Sequence, residues 1–512
     1  MGKVFLRPGT PDDDNRTYLP EEIIGTDIVV NENGNNSQPW PKRLRRCDGI
    51  VCDGVRNVWY EYVPESYDGK KPVPLVVSLH GGLMTGWGQA IYSSWTMVAD
   101  REGFICIFPD ATEMMFWTVE GIYESGGPTA LDGKQVPHPP KDYRDNHDLN
   151  FIRTLIDLTE EKYNIDKSRI FMQGMSMGNM MTAQFSRYYG NILAGAAGAG
   201  AATWGFALFN KDGSVRNKGG AIPVWQSRPE NNGFGMGDYE DQCASFNTNR
   251  WYWMKINECN PLPEISIVGE DNFAFYKGRK ADLVYLDIKN RDHGQTLDEA
   301  FLYWDYFFSG LKRGEDGSII QTEPNIPRKG DAYAAAFMAG VPRVFFKNQL
   351  RPLSQAPVRW QKLKYHGLNG GQKVRGEYTM VPIQFLAEMA GGRYVPSEDT
   401  LTAKIELSDG RILQFARGSI GCLINDKLRC MFCEALHRNG ELLISAEWFA
   451  KYILNLKTTE CNGILYITDH WAELSYYVAD ILKSVLENRY HEADYERLVK
   501  DTVKIPEGWE EN

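Results

Sequence analysis

The sequence predicts an α/β domain built on a parallel sheet, followed by a smaller α+β domain. Three observations carry that expectation. Short apolar runs suited to buried strands, among them Leu75–Leu79, residues 169–173, 221–226 and 283–288, are interleaved with helix-length segments up to about residue 312. A Gly-x-Ser-x-Gly run, Gly174 to Gly178, stands between one such strand and a helical stretch over 179–189. Beyond residue 341 the pattern changes to short strands separated by turn residues, such as 404–407, Asp409-Gly410, 412–415 and 422–424.

The Gly-x-Ser-x-Gly run has the context its chemistry needs. Ile170 and Phe171 make the preceding segment strand-like, and Met180, Met181, Ala183 and Phe185 give the following one an apolar helical face. A strand, a sharp turn and a helix together form a nucleophile elbow, in which small residues on both sides let the backbone reverse and leave Ser176 exposed. Upstream, the strand Leu75–Leu79 runs into His80-Gly81-Gly82, a glycine-rich turn of the kind that supplies an oxyanion amide. The expected oxyanion donors are the backbone N–H groups of Met177 and of the Gly82-Leu83 turn.

Partners for the serine should follow in the order acid, then histidine. Of eight histidines, His80 belongs to the glycine-rich turn, His138 and His147 precede the serine, and His366, His437, His470 and His491 fall in the C-terminal half. His293, in a polar loop between a strand and a helix, is the expected general base. The acid should come from the turn after the strand 221–226. Glu230 is the first choice, with Asp238, Glu240 and Asp241 as alternatives.

With these motifs in place, residues 55 to 310 resemble the esterase PHB depolymerase family, the poly(3-hydroxybutyrate) depolymerase and feruloyl-esterase-like branch of the α/β-hydrolases. The resemblance rests on Trp59 to Pro64, Pro74 to Gly82, Phe108-Pro109-Asp110, Asp148 to Ile152, Tyr163 to Asp166 leading to the elbow, and Trp253 to Cys259. It implies a serine esterase working through an acyl-enzyme without a cofactor. Small or polymeric esters of hydroxyalkanoic or hydroxycinnamic acids would be its substrates. The acid turn departs from the family pattern, reading Gln226-Ser227-Arg228-Pro229-Glu230 where the family has His-Gly followed by Asp. A serine peptidase of the same fold and a catalytically degenerate binding protein are the alternative readings. Residues 341 to 470 are similar to the copper amine oxidase N-terminal-like, or stalk, domain, on the run Met380 to Glu388 and its partial repeat from Gly440 to Leu454. That resemblance implies assembly into a homo-oligomer, domain docking or polymer contact, and no copper chemistry.

The expected organisation is therefore an N-terminal extension over 1–54, the catalytic domain over 55–312, a linker over 313–340, the stalk-like domain over 341–475, and a C-terminal helix and tail over 476–512. A long segment from Ala111 to Asp148 reads as a substrate-contacting loop, and Phe116 and Trp117 within it, with Trp204, are the candidate pocket aromatics. A formal net charge of −11 argues against a nucleic-acid partner. No apolar run is long enough for a membrane span, and no zinc-type ligand spacing surrounds Cys430-Met431-Phe432-Cys433, so no metal is expected. The start of the chain lacks a signal-peptide pattern, which points to the cytoplasm, with secretion of a form whose leader has been removed as the alternative.

Overall fold

The computed structural model describes residues 43–112, 115–121, 138–231, 239–366 and 371–506, with a few isolated positions. The chain divides into two compact units, the first made of residues 1–261, 275–328 and 492–512, the second of 262–274 and 329–491.

The first unit has an α/β-hydrolase fold. Its strands are β1 (Leu44–Ile50), β2 (Arg56–Tyr62), β3 (Val73–Leu79), β4 (Ile105–Pro109), β5 (Ile165–Met175), β6 (Gly195–Ala199) and β7 (Val224–Asn231). A hairpin, β8 (Glu264–Val268) and β9 (Asp271–Tyr276), whose residues up to 274 belong to the second unit, precedes β10 (Leu283–Asp292). Within this unit the sheet order is β1-β2-β4-β3-β5-β6-β7-β10. From β4 across to β10 each neighbouring pair is parallel, while β1 and β2 are added antiparallel at one edge. The central parallel strands are largely apolar, as strands covered on both faces tend to be: all five residues of β4 and of β6 are buried.

The helices are α1 (Gly86–Tyr92), α2 (Trp95–Glu102), α3 (His147–Lys162), α4 (Met177–Tyr189), α5 (Gly205–Leu208), α6 (Tyr239–Asn257) and α7 (Glu299–Tyr306). Their starts follow from local chemistry. Thr85 caps α1 through its hydroxyl, and Asn146 caps α3 by accepting the Leu149 N–H at 3.1 Å. On one face of the sheet an aromatic cluster forms the core, with Phe104 stacked on Trp304 at 4.3 Å and Phe171 on Phe308 at 4.5 Å. Such rings are fully buried, and each contributes roughly 1.5–3 kcal/mol through removal from water.

Several expected boundaries move. The 1–54 extension contains β1, which pairs with β2 over its whole length. The 313–340 linker is largely structured: Leu311–Arg313 pairs with Ile319–Gln321, and Ala334–Met338 is a buried strand of the second unit. The tail also splits. Its first helix, Tyr476–Leu486, belongs to the second unit, whereas Glu492–Thr502 belongs to the first, where Tyr495 stacks on Trp251 of α6 at 4.8 Å. Polar turn residues in 313–329 mark loops correctly, but loops inside a folded unit have the same composition as a linker.

The second unit is α+β. A five-stranded sheet is centred on Ala334–Met338, a four-stranded one on Gly371–Pro382, and a further five-stranded sheet runs from Arg393 to Cys430. The two copies of the sequence repeat each place a strand before a short helix, Gly371–Pro382 before Ile383–Met389 and Glu441–Ser445 before Ala446–Phe449. Their strands pair with one another, Met380 opposite Ser445 and Pro382 opposite Leu443. Phe337, Phe346, Phe385 and Trp448 share its core.

Candidate active site

The site lies at the carboxyl ends of β3, β5, β6 and β10, around β3, which has β4 on one side and β5 on the other. This is the position at which open α/β sheets leave a crevice. Ser176 follows β5 with φ 52° and ψ −118°, a strained backbone for a residue bearing a side chain. Its neighbours permit the turn. A Cβ on Gly174 would run into the Gly178 carbonyl, and one on Gly178 would strike the carbonyls of Leu79 and His80. The turn is pinned from below by Ser176 N–H donating to the Ala199 carbonyl at 2.8 Å.

His293 sits just past β10, and its Nε2 lies 3.0 Å from the Ser176 Oγ. Two glycines stand beside it. Gly200, at φ 77°, lies next to the imidazole, and Gly294, at φ 151°, leaves space for the Tyr92 hydroxyl, which a Cβ there would strike. Burial pulls the His293 pKa below its ordinary value, so the ring is neutral and able to take a proton near pH 7.

The oxyanion turn is built as a locked element. His80 is buried; its Nε2 accepts the Ala111 N–H at 2.9 Å, which leaves the proton on Nδ1 for the Gly81 carbonyl at 2.6 Å. Burial lowers the His80 pKa to about 4, so it stays neutral and holds this geometry. Of the three expected donors, Leu83 is corrected: its N–H is already given to the Met115 carbonyl at 3.0 Å. A Cβ on Gly82 would stand 3.0 Å from the Met177 sulfur, so the Gly82 turn lies against the Met177 side chain.

The candidate aromatics divide. Trp117 is 0 % exposed, and its indole N–H donates to the His80 carbonyl at 2.8 Å. It supports the oxyanion turn from beneath and offers no face to a ligand, which corrects its assignment as a pocket residue. Phe116 is also buried and packs against Gly82. Trp204 is 43 % exposed, stacks on Phe206, and lines a cleft of about 460 Å³ with Ala244, Thr248 and Val503.

Glu230 lies within β7, not beyond it, because the strand continues to Asn231 alongside an equally extended β10. Its carboxylate accepts the Asn290 N–H at 3.2 Å and pairs with Lys289 at 3.4 Å, three and four residues before His293. Asp238 and the side chains of Glu240 and Asp241 lie outside the described residues.

Sequence reasoning missed a buried amide network that ties the serine strand to the histidine loop. Gln173 accepts from Ser78 at 2.8 Å and from the Trp95 indole at 2.9 Å, and donates to Gln295 at 2.9 Å. The Gln295 N–H in turn donates to Tyr92 at 3.0 Å. Polar residues interrupting apolar strands, Ser78 and Gln173, were the available signal. Glu299 is a second such group. It accepts from Thr296 N–H and Tyr303 OH, each at 2.6 Å, and burial raises its pKa to about 7. Cys259 carries a free thiol rather than a disulfide to Cys243, whose side chain lies outside the described residues.

No family model matches the chain. It is similar over part of its length to acetylxylan esterase A of Emericella nidulans, with 30% identity over 162 residues covering 30% of this chain and 46% of that protein. It is likewise similar to feruloyl esterase B of Thermothelomyces thermophilus, with 31% identity over 146 residues covering 28% of this chain and 44% of the relative. The chain thus spans less than half the length of these curated relatives. Among solved structures, an acetyl xylan esterase from Aspergillus awamori aligns over 51% of this chain and 97% of its own at 16% identity, with a TM-score of 0.38. The strand order and the glycine-flanked elbow define the fold of the first unit. Among the described residues no helix is long and apolar enough to cross a membrane.

Proposed function

We propose that the first unit is a serine hydrolase of carboxylic esters, acting on short acyl or hydroxycinnamoyl esters carried by polysaccharide. The observation that carries the reading is the 3.0 Å contact between His293 Nε2 and Ser176 Oγ on a strained, glycine-flanked elbow. Strain at ψ −118° is tolerated in a fold only where the surrounding backbone over-determines it, and here it presents a nucleophile to its base. The names of the partial relatives, acetylxylan and feruloyl esterase, support ester over amide cleavage and a wall-polymer substrate over a polyhydroxyalkanoate.

In this mechanism His293 removes the Ser176 proton as the oxygen attacks the ester carbonyl. The Met177 and Gly82 amides stabilise the oxyanion, His293 protonates the departing alcohol, and water releases the acyl group by the reverse sequence. Glu230 is the proposed acid, supported by its place at the end of β7 beside the residues leading into His293. Trp204, the most exposed of the candidate aromatics, is the proposed contact for an aromatic acyl or a sugar ring.

A panel of acetylated xylan, methyl ferulate and soluble hydroxybutyrate oligomers tests the reading, with Ser176→Ala as control. Turnover of the first two that vanishes in the variant supports it. Turnover of only the hydroxybutyrate oligomers would move the substrate class, and hydrolysis that survives in Ser176→Ala would end the proposal.

A further inference from the structure

We propose that Cys52, Asp53 and His147 form a binding site for one divalent cation of the zinc class. Cys52 and Asp53 lie in the turn between β1 and β2, and His147 is the first residue of α3, so the three meet only in the folded first unit. His147 Nδ1 stands 2.9 Å from Asp53 Oδ2 and 3.7 Å from Cys52 Sγ, and one ligand atom from each residue lies within 4.8 Å of the others. Tetrahedral zinc with metal–ligand distances of about 2.0–2.3 Å requires ligand-to-ligand separations of roughly 3.3–3.6 Å. The two spacings to His147 bracket those values, and the Cys52–Asp53 spacing is within 4.8 Å.

The donor set selects the ion. A thiolate, an imidazole and a carboxylate suit zinc and neighbouring transition metals and not magnesium or calcium, which take oxygen ligands. Two anionic ligands would neutralise the charge, and Asp53 is exposed while Cys52 and His147 are partly buried. The site therefore opens to water on one side, where a fourth ligand would come from solvent.

A second observation lies behind the histidine. Asn57 is 2 % exposed, its Nδ2 is 3.0 Å from His147 Nε2, and its Oδ1 has no hydrogen-bond partner. With His147 Nε2 accepting from Asn57, the ring proton sits on Nδ1 and faces Asp53. A cation on Nδ1 would require the proton on Nε2. Turning the Asn57 amide over then gives its partnerless Oδ1 that N–H to accept, which is the outer-shell arrangement typical of metal-bound histidine. Thr112, whose hydroxyl is 3.2 Å from Asn57 Nδ2, can donate or accept and so serves both orientations. Binding converts the Cys52 thiol to thiolate and moves the His147 proton from Nδ1 to Nε2, releasing one proton to solvent.

The consequence is a staple. Asp148, next to His147, accepts the N–H groups of Thr112 and Thr118 at 3.2 and 2.7 Å and thereby holds the segment carrying Phe116 and Trp117. A cation at His147 fixes the start of α3 to the β1–β2 turn.

Full-length protein freed of metal with a chelator, then titrated with Zn²⁺ against a chromophoric competitor, should bind one tight equivalent and release about one proton. Co²⁺ should give a thiolate charge-transfer band and the visible bands of a tetrahedral site. Cys52→Ser should remove the thiolate band, and Asn57→Ala, leaving the ligands intact, should weaken binding about 10–100-fold. Asp53→Asn, at an exposed position, is the variant least prone to unfold and should also weaken binding by at least about tenfold. Absence of a tight equivalent in the wild type would overturn the proposal. So would a thiolate band that survives in Cys52→Ser, or affinity unchanged in Asp53→Asn.

Discussion

The two ends of the candidate active site are built differently. Around Ser176 and His80 each position is set by main-chain contacts: glycines where a Cβ would collide, the His80 carbonyl accepting the Trp117 indole N–H, and a buried imidazole gripping two main-chain groups. Around Glu230 and His293 the arrangement depends on side chains at the ends of two parallel strands, with Lys289 and Asn290 holding the carboxylate. The serine end is therefore fixed by what cannot fit elsewhere, and the Glu230 end by charge and hydrogen bonding. Substitutions at the two ends should fail in different ways.

The largest expected effect is Ser176→Ala, which should lower kcat by about 10⁶-fold, the scale of nucleophile loss in a triad, with unchanged circular dichroism. Glu230→Gln should cost on the order of 10⁴-fold, because an amide cannot stabilise the imidazolium formed in the transition state. Asp238→Asn sharpens the comparison: if it is the more damaging change in kcat, the acid end is organised from the following loop and not from β7.

A third expectation concerns pH. The unfolded chain carries an ordinary histidine near 6.5, whereas His80 in the fold refuses a proton until about pH 4. Stability present above pH 6.5 is therefore lost as pH falls toward 4, by up to about 3 kcal/mol. Glu299 acts in the opposite direction. Its folded pKa, raised to about 7 by burial, means that its contribution is full below the ordinary carboxylate value and is lost as pH rises through 7, again by up to about 3 kcal/mol. Because the two slopes oppose each other between about pH 4.5 and 6.5, urea titrations of the wild type should be nearly flat over that range, and Glu299→Gln should unmask a stability that rises with pH up to about 6.5 and then levels off.

The smallest effect tests the first unit far from the site. Tyr495→Ala removes the ring stacked on Trp251 and should cost about 1–3 kcal/mol, read as a lower Tm with kcat nearly unchanged.

How much of this was legible in the sequence varied with the kind of constraint. Gly174, Ser176 and Gly178 were readable because their spacing is dictated by collisions along a short stretch of chain. His293 was readable by elimination among eight histidines. The end of β7 was misplaced at Gln226, because what extends the strand to Asn231 is its pairing with β10, some sixty residues on. Trp117 and Trp204 look alike as aromatic residues near the site; only the fold tells which lies beneath the turn and which faces outward. Leu83 was assigned a free amide because the carbonyl it serves, Met115, lies in a loop whose path has no sequence signature. The Cys52, Asp53 and His147 cluster has no linear motif at all, and the expected C-terminal helix corresponds to Tyr476–Leu486, whereas the helix after it, Glu492–Thr502, fell in what was read as tail.

That last helix has a consequence for how the protein is made. The first unit receives its final element, Glu492–Thr502, only after the chain has been spent on roughly 160 residues of the second. At ribosomal rates of about 5–20 residues per second, the nascent first unit waits roughly 8–30 s with the Trp251 face of α6 uncovered. Over that interval the apolar surface is available to chaperones and to neighbouring nascent chains. Synthesis of Glu492–Thr502, and not emergence of Ser176 and His293, then completes the packing of the first unit.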